Sequence, residues 1–449
     1  MSGYSKDKTK QKRVSSSQNT NRSALYLVLI PIVALLIKVV TIFNIPGGGW
    51  FGADGENYAV GIDGLLADGF FSDAATLSYW PAGYPILMWP IASISIPKLY
   101  FILSLIQSIF FAFATYFLTN KLRQTSLSFL AIWVSLFISF NPTLSLLTLS
   151  VGYEAPIAAC FMMITGHILG TLNQPLDRNF WIAVTSVGGW FALATFMQPR
   201  FLLIAIVIAL LWAFKILGSR NRIRIASLVI ALTMVAPITM IYRNSVAIDK
   251  AVISTNLGAT MRIGAGPETS GGYTRTGPEV PCVVEGSTAS DNALVGCVLR
   301  WYASNPVDTI RLAFNKARFY WSPWSGPEKE GTMARNPWLK ISPVHQVIIG
   351  SEAGRSLIYN PVGRAISHLW VVGQLLLLFL GYRYIRRLGS DQRFIANIIL
   401  TPVVISWLIS IATIGDHRFR IPTMSLSLIL QAAALLALTK KFKSRFLKA

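Results

Sequence analysis

Ten apolar stretches recur along this 449-residue chain. Each is close to the ~20 residues that an α-helix needs to cross a bilayer. Only 13% of the residues are charged, whereas a soluble domain carries about 25%. The pattern predicts an all-α polytopic membrane protein with about ten transmembrane helices. The stretches lie near residues 24–44, 99–119, 127–148, 154–172, 180–198, 200–217, 224–242, 366–382, 394–414 and 421–439.

The basic residues predict how these helices are oriented. A net charge of +21 would also suit a protein that binds nucleic acid. However, more than half of the Lys and Arg residues lie in alternate connections of a ten-helix chain, which is the positive-inside pattern. We therefore expect a multi-pass protein of the plasma membrane with both termini in the cytoplasm, whose basic charge contacts anionic membrane lipids and not nucleic acid. These basic segments are residues 6–22, 121–123, 178, 215–224, 383–393 and 440–448.

The orientation divides the chain into regions. The longest polar segment is predicted to be an extracytoplasmic, α-rich loop domain with helices at Asn292–Ser304 and Asp308–Trp321. Within it, Cys282 and Cys297 lie in a compartment that permits a disulfide, and they are the only two candidates for one, although the sequence leaves open whether they are bridged. The predicted regions are a disordered basic tail (1–23), helices one to seven (24–242) including a catalytic outer loop (45–98), the loop domain (243–365), helices eight to ten (366–439) and a second basic tail (440–449).

The outer loop after the first helix is unusually acidic. Residues Gly49–Pro85 hold five carboxylates and no Lys or Arg. A carboxylate such as Asp54 or Glu56 could accept the proton of an attacking hydroxyl group, or hold a divalent cation that polarises a donor phosphate. Asp54 also directly precedes a predicted short helix around Tyr58, and Asp is a favoured N-cap residue. The local pattern therefore leaves catalysis and helix capping both open.

Further ionisable residues are predicted at the outer ends of the helices. Glu154 lies at the start of a predicted span, where an acid serves either a functional site or the helix N-terminus. A lipid-linked phosphate would need fixed positive charge, and the Arg side chain binds phosphate oxygens in pairs. Binding of lipid headgroups is the alternative for these cations. The candidates are Arg200, Arg243, Arg262, Lys316, Arg318, Arg418 and Arg420, together with His417.

Several common signatures are absent from the sequence. It contains no phosphate-binding Gly-x-x-x-x-Gly-Lys-Ser/Thr loop, no His-Glu-x-x-His zinc pair and no Gly-x-Ser-x-Gly elbow. The four His residues show no metal-ligand spacing. A nucleotide-driven pump and a zinc protease are therefore disfavoured.

Three motifs, taken in order, resemble those of GT-C glycosyltransferases, in particular bacterial relatives of protein O-mannosyltransferase and of the lipid A aminoarabinose transferase. Ala82 stands where the family loop usually has a second Pro. In Asp54-Gly55-Glu56 a Gly separates two acids that family members have side by side, which leaves the role of Glu56 open. The motifs are Asp54-x-x-x-Tyr58 with Pro81-x-Gly83-Tyr84-Pro85, then Asn256-x-Gly258 with Gly271-Gly272-Tyr273, and finally Arg418-Phe-Arg420-Ile-Pro422.

The resemblance implies a GT-C-like fold and an inverting transfer of a hexosyl or pentosyl group from a polyprenyl-phosphate donor to a glycan, lipid or protein acceptor on the outer face. Asp54 would be the base, with Glu56 beside it. The resemblance leaves open whether a divalent cation takes part, and it implies no other cofactor. The alternatives are a transporter or flippase of lipid-linked sugars and a surface-glycan polymerase or ligase of another family. The residues expected to bind substrate are Tyr58, Tyr84, Glu154, Arg200, Arg262, Lys316, His417, Arg418 and Arg420.

Overall fold

The computed structural model describes residues 5–43, 55–172, 174–215, 219–272, 290–323 and 361–446. Throughout these ranges the regular structure is helical, apart from an isolated bridge between Gly272 and Gly415, so the predicted all-α class is confirmed there. The α-helices are α1 (Ser5–Phe43), α2 (Gly55–Asp68), α3 (Ala75–Tyr79), α4 (Gly83–Ile94), α5 (Leu99–Arg123), α6 (Ala131–Ser139), α7 (Pro142–Leu146), α8 (Glu154–Gly170), α9 (Arg178–Met197), α10 (Leu202–Lys215), α11 (Ser219–Ala247), α12 (Leu257–Ile263), α13 (Asp291–Ser304), α14 (Pro306–Trp321), α15 (Pro361–Arg386), α16 (Ser390–Ala412) and α17 (Ile421–Phe446).

Each of the ten predicted stretches coincides with helix. In the described part of the chain, seven helices are long and apolar enough to cross a membrane: α1 from Arg22 onward, α5, α9, α11, α15, α16, and α17 with the turn before it. The stretch 127–148 is instead bent by 53° between α6 and α7. The stretches 154–172 and 200–217 hold the shorter helices α8 and α10, of 17 and 14 residues. Among the described residues, the ten predicted stretches therefore correspond to seven helices long and apolar enough to cross a membrane, one bent pair and the shorter helices α8 and α10.

The bend between α6 and α7 follows from local chemistry. Pro142 has no backbone N–H and occupies the first position of α7, where a helix tolerates it. The Asn141 side chain accepts hydrogen bonds from the backbone N–H groups of Thr143 (3.1 Å) and Leu144 (2.8 Å). This cap starts a new helix in a different direction.

Helix α8 lies at the centre of the helical bundle. It packs against α5, α9 and α17, and the side chains from Ile157 to Ile164 are all buried. Cys160 is fully buried in its middle as a free thiol, in agreement with its predicted role as a small core residue. Elsewhere in the bundle α15 and α17 approach closely at Gly381, where a Cβ atom would lie 1.8 Å from the Leu430 carbonyl oxygen. Such small residues let membrane helices pack tightly.

Contacts between distant connections mark two ends of the bundle. At one end Lys215 Nζ lies 2.7 Å from Asp391 Oδ1, and Gln392 donates to Ser126. These residues belong to connections predicted to be cytoplasmic. The starts of α8 and α17 meet at the opposite end. The grouping agrees with the alternating topology, while the side of the membrane that each end faces stays a prediction.

The acidic loop is anchored to α11. Helix α2 confirms the predicted helix after Asp54. The guanidinium group of Arg243, fully buried near the end of α11, donates to the carbonyl oxygens of Phe70 (3.2 Å), Leu77 (3.3 Å) and Ser72. One Arg side chain therefore fixes the segment that follows α2.

The loop domain contains the two predicted helices. Helices α13 and α14 are separated at Asn305, as the Asn-Pro sequence predicts. Cys297 lies on α13 and is disulfide-bonded. Its predicted partner Cys282 lies outside the described residues, so the pairing itself stays a prediction.

Candidate functional site

A buried ion pair joins two elements that are far apart in the chain. Glu154 is the first residue of α8 and is 2% exposed. Its Oε1 accepts a hydrogen bond from Arg418 Nε, in the turn His417–Arg420 that leads into α17. The Arg418 guanidinium also lies over the Tyr153 ring, 5.4 Å from its centroid. The structure thus brings together two of the residues predicted from sequence.

The turn before α17 is stabilised by a hydrogen bond to its own N-cap residue and by another from α16. Asp416 accepts a hydrogen bond from the Arg418 backbone N–H (2.8 Å) as the N-cap of the turn. Ser406 on α16 donates to the Phe419 carbonyl oxygen (2.9 Å). These bonds fix the backbone from which the Arg418 and Arg420 side chains extend.

Arg200 completes the cluster from the short Pro199–Phe201 turn. Its guanidinium lies 4.1 Å from the ring centroid of Phe419 and 5.1 Å from that of Phe201. Aromatic faces attract the cation but accept no conventional hydrogen bond. Accordingly Arg200 Nε and Nη2 are buried without a hydrogen-bond partner among the described residues, and burial lowers the pKa of this guanidinium. Buried, unsatisfied donors cost about 1–3 kcal/mol each, so these two are suited to an acceptor supplied by a ligand.

Arg420 and Trp321 carry further buried donors without a hydrogen-bond partner among the described residues. Its Nη1 donates to the Trp321 carbonyl oxygen (3.2 Å), and its guanidinium lies 5.5 Å from the Trp321 ring centroid. Within the described ranges, Arg420 Nε and Trp321 Nε1 have no hydrogen-bond partner although both are buried. The cluster therefore presents buried N–H groups from Arg200, Arg420 and Trp321. Several convergent cationic donors are a typical way to bind phosphate oxygens.

Asp416 and His417 add titratable groups to this cluster. His417 Nδ1 lies 3.8 Å from Asp416 Oδ1, too far for a hydrogen bond, and both side chains are buried. Burial raises the pKa of Asp416 to about 6; the hydrogen bond and positive charge of Arg418 and the charge of Arg200 oppose the shift, and Glu154 reinforces it. The protonation of Asp416 can therefore change near neutral pH.

Tyr84 and Tyr58, both predicted to bind substrate, are buried and contact other residues of the protein. Tyr84 is 2% exposed, and its hydroxyl group donates to Gln107 Oε1 (3.2 Å) and accepts from the Gly152 backbone N–H (2.9 Å). The Tyr58 ring packs against the Tyr84 ring with centroids 5.1 Å apart. Through these contacts α2 and α4 support the segment that leads to Glu154.

Lys316 joins the loop domain to the same end of the bundle, and Arg262 lies close in sequence to a second contact there. Lys316 Nζ donates to the Thr413 carbonyl oxygen (2.7 Å) and the Tyr302 hydroxyl oxygen (2.8 Å), and burial lowers the pKa of Lys316 to about 7. Arg262 lies in the last turn of α12, and two residues later Gly264 approaches the Thr413 carbonyl oxygen so closely that a Cβ atom would lie 2.4 Å away. These contacts position the loop domain beside the turn before α17.

The predicted acids of the outer loop cannot be placed in the site. Asp54 and the side chain of Glu56 lie outside what the structure describes. In the described part of the chain, no group of three or more His, Cys, Asp or Glu residues could hold a metal ion. Whether a divalent cation takes part stays open.

The aromatic residues that surround the cluster were not predicted from the sequence. Tyr153, Phe201, Phe419 and Trp321 supply the rings around the guanidinium groups. Phe201 and Phe419 directly follow an Arg in the sequence, and Tyr153 directly precedes Glu154. Ionisable residues adjacent to aromatic residues at predicted helix ends are the signal that could have indicated a desolvated cation site.

Comparison with known proteins gives a structural likeness and no sequence match. Neither a family model nor a characterised protein sequence matches the chain. Three solved structures of an oligosaccharyltransferase from the archaeon Archaeoglobus fulgidus are similar at 15% identity: a complex with an inhibitory peptide and a dolichol-phosphate (TM-score 0.48), an apo form (0.49) and a form tethered to an acceptor peptide (0.49). The matches cover 94%, 94% and 93% of this chain but 51%, 52% and 50% of those chains, so it spans about half their length.

Proposed function

We propose that this protein is an integral membrane glycosyltransferase that moves a sugar from a polyprenyl-phosphate donor to an acceptor on the outer face of the membrane, with inversion at the anomeric carbon. The observation that carries the proposal is the set of buried, unpartnered N–H groups of Arg200 and Arg420 among the described residues. The ordered GT-C-like motifs supply the reaction class.

The charges of the cluster favour one anionic phosphate. The positive charge of Arg418 is matched by Glu154. Arg200 and Arg420 contribute two further positive charges, which ionised Asp416 balances only in part. A phosphodiester carries one negative charge, so a sugar linked to a lipid by a single phosphate would reduce this excess of positive charge. In these apolar surroundings the charged hydrogen bonds need little reorganisation when the leaving phosphate takes up charge.

Asp54 is the proposed base. It would take the proton of the acceptor hydroxyl group as the oxygen attacks the anomeric carbon from the side opposite the phosphate. Support comes from contacts that tie α2 to the cluster: α2 begins one residue after Asp54, its Tyr58 packs on Tyr84, and the Tyr84 hydroxyl group holds Gly152. A divalent cation bound by Asp54 and Glu56 would polarise the donor phosphate.

The remaining predicted residues have supporting roles in this proposal. The polyprenyl tail lies between spans, and loop-domain residues in 243–365 help to select the acceptor. Lys316 and Arg262 act by holding that domain against the turn before α17, and His417 lies beside the phosphate. Tyr58 and Tyr84 act by positioning Glu154.

A transfer assay in membranes tests the proposal. A radiolabelled polyprenyl-phosphate sugar is supplied with a hydroxyl-bearing acceptor, and product is counted for the wild type and for Asp54→Asn. Because general base catalysis contributes about 10²–10⁴-fold, Asp54→Asn should lower turnover by at least about 10²-fold. Asp63→Asn is the matched control, since Asp63 is an exposed carboxylate of α2, and it should retain near wild-type turnover.

Two outcomes would overturn the proposal. Undiminished sugar transfer by Asp54→Asn would show that Asp54 is not the base. Passage of the lipid-linked sugar across a vesicle bilayer, with no product from any supplied acceptor, would favour a flippase in place of a transferase.

A further inference from the structure

Asp416 has one carboxylate oxygen that the fold leaves unused. Its Oδ1 accepts the Arg418 backbone N–H at 2.8 Å. Its Oδ2 is buried and has no hydrogen-bond partner in the ranges that the structure describes. The residue as a whole is 1% exposed. A buried carboxylate oxygen without a donor is unfavourable when it is charged, whereas protonation turns the same atom into a hydrogen-bond donor.

We infer that Asp416 is a catalytic acid: its protonated Oδ2 contacts the phosphate of the lipid-linked donor and transfers its proton to that phosphate as the bond to the sugar breaks. This inference rests on the proposed glycosyltransferase function, and it adds a residue to which neither the sequence motifs nor their resemblance gave a role. The anion that it serves is the one bound by Arg200 and Arg420.

The surroundings of Asp416 keep both of its protonation states accessible. Burial raises the pKa of Asp416 to about 6, Glu154 raises it further, and Arg418 and Arg200 lower it. Burial is the largest of these causes and decides the direction. The titratable and charged groups on the elements packed around this turn are Glu154 from α8, Arg200 from the Pro199–Phe201 turn, Lys316 and Tyr320 from α14, and His417, Arg418 and Arg420 from the turn itself.

The proton balance of the reaction gives Asp416 a task. The bond between the anomeric carbon and the phosphate oxygen breaks, and its electron pair stays on that oxygen. A new bond forms between the acceptor oxygen and the anomeric carbon, and the acceptor proton passes to Asp54. The phosphate would then carry a second negative charge. The proton from Asp416 keeps it a monoanion and leaves the negative charge on the Asp416 carboxylate. Before the next turnover Asp54 releases its proton to water and Asp416 takes one up.

Product binding isolates this step from the rest of catalysis. A short-chain polyprenyl monophosphate is titrated into the full-length protein in detergent micelles by calorimetry, at pH 7, in two buffers with different ionisation enthalpies. For the wild type we expect net uptake of a fraction of a proton, up to one, for each phosphate bound. Asp416→Asn keeps a hydrogen-bond donor but cannot titrate. It should bind within about threefold of the wild type (about 0.7 kcal/mol) and lose most of this uptake.

A second readout separates proton transfer from a structural role. Above pH 6 wild-type turnover should fall about tenfold for each pH unit, because Asp416 loses its proton. Asp416→Asn should turn over more slowly than the wild type, and its turnover should not decrease above pH 6. Asp416→Glu should restore both the proton uptake on binding and the decrease of turnover with pH. If Asp416→Asn does not fold, Asp416→Glu still tests the role of Asp416. Turnover that falls above the same pH as in the wild type, together with wild-type proton uptake, requires a titrating carboxylate at this position.

Failure of the proposed function and failure of the role of Asp416 give different results in these experiments. No binding of the monophosphate to the wild type would overturn the proposed function together with this inference. Binding accompanied by equal proton uptake in the wild type and Asp416→Asn would overturn the role of Asp416 alone. Equal uptake in Asp63→Asn and the wild type is the expected control result.

Discussion

The replacement Arg200→Lys separates the geometry of the Arg200 side chain from its charge. Lys keeps one positive charge but lacks the planar fork, so it cannot reproduce the directions of both Nε and Nη2, which are buried without partners among the described residues. A hydrogen bond to a charged group contributes about 1.5–3 kcal/mol. Losing one such bond should therefore weaken phosphate binding about 10- to 150-fold.

The assay is equilibrium binding of a polyprenyl monophosphate to the purified protein in lipid nanodiscs. Arg300→Lys is the matched control, because Arg300 is an exposed residue of α13, and its affinity should stay within about twofold of the wild type (about 0.4 kcal/mol). Unchanged affinity in Arg200→Lys would refute the reasoning. An equal loss in both variants would point to nonspecific attraction between basic residues and phosphate.

Two further replacements test the framework around the cluster. Tyr84→Phe removes the hydroxyl group that accepts the Gly152 backbone N–H, so we expect unfolding to become easier by about 1–3 kcal/mol, measured by chemical denaturation, together with weaker phosphate binding; wild-type values of both would contradict the positioning role. Gly381→Ala places a Cβ atom 1.8 Å from the Leu430 carbonyl oxygen, whereas Gly373→Ala on the same helix meets nothing within 4 Å. The first should lower stability by about 1–3 kcal/mol and the second should not, and equal melting temperatures would rule out the close approach of α15 and α17.

Local patterns in the sequence predicted much of the fold because helices depend on local residues. The break between α13 and α14 follows from Asn305-Pro306, and the helix after Asp54 was predicted at the position of α2. The bend at Asn141-Pro142 shows the limit of counting apolar residues. Hydropathy gave one span there, although Pro142 and the Asn141 cap divide it into two helices.

The contacts that form the site could not be predicted, because each depends on packing between distant segments. Glu154 and Arg418 were both candidates, but nothing in the sequence indicates that they form a pair across 264 positions. Tyr84 was predicted to touch substrate, yet its hydroxyl group bonds to Gln107 and Gly152 inside the protein. Unpartnered buried N–H groups, such as those of Arg200, become visible only when the surrounding rings are in place.

The position of a bound lipid phosphate tests the central claim most directly. A cryo-EM structure of the protein in nanodiscs with a polyprenyl monophosphate would locate the phosphorus atom. The proposal predicts phosphate oxygens about 2.7–2.9 Å from Arg200 Nε or Nη2 and from Arg420 Nε, on the side of the cluster where α2 begins. A phosphate found instead at the opposite end of the bundle, near Lys215 and Asp391, would contradict it.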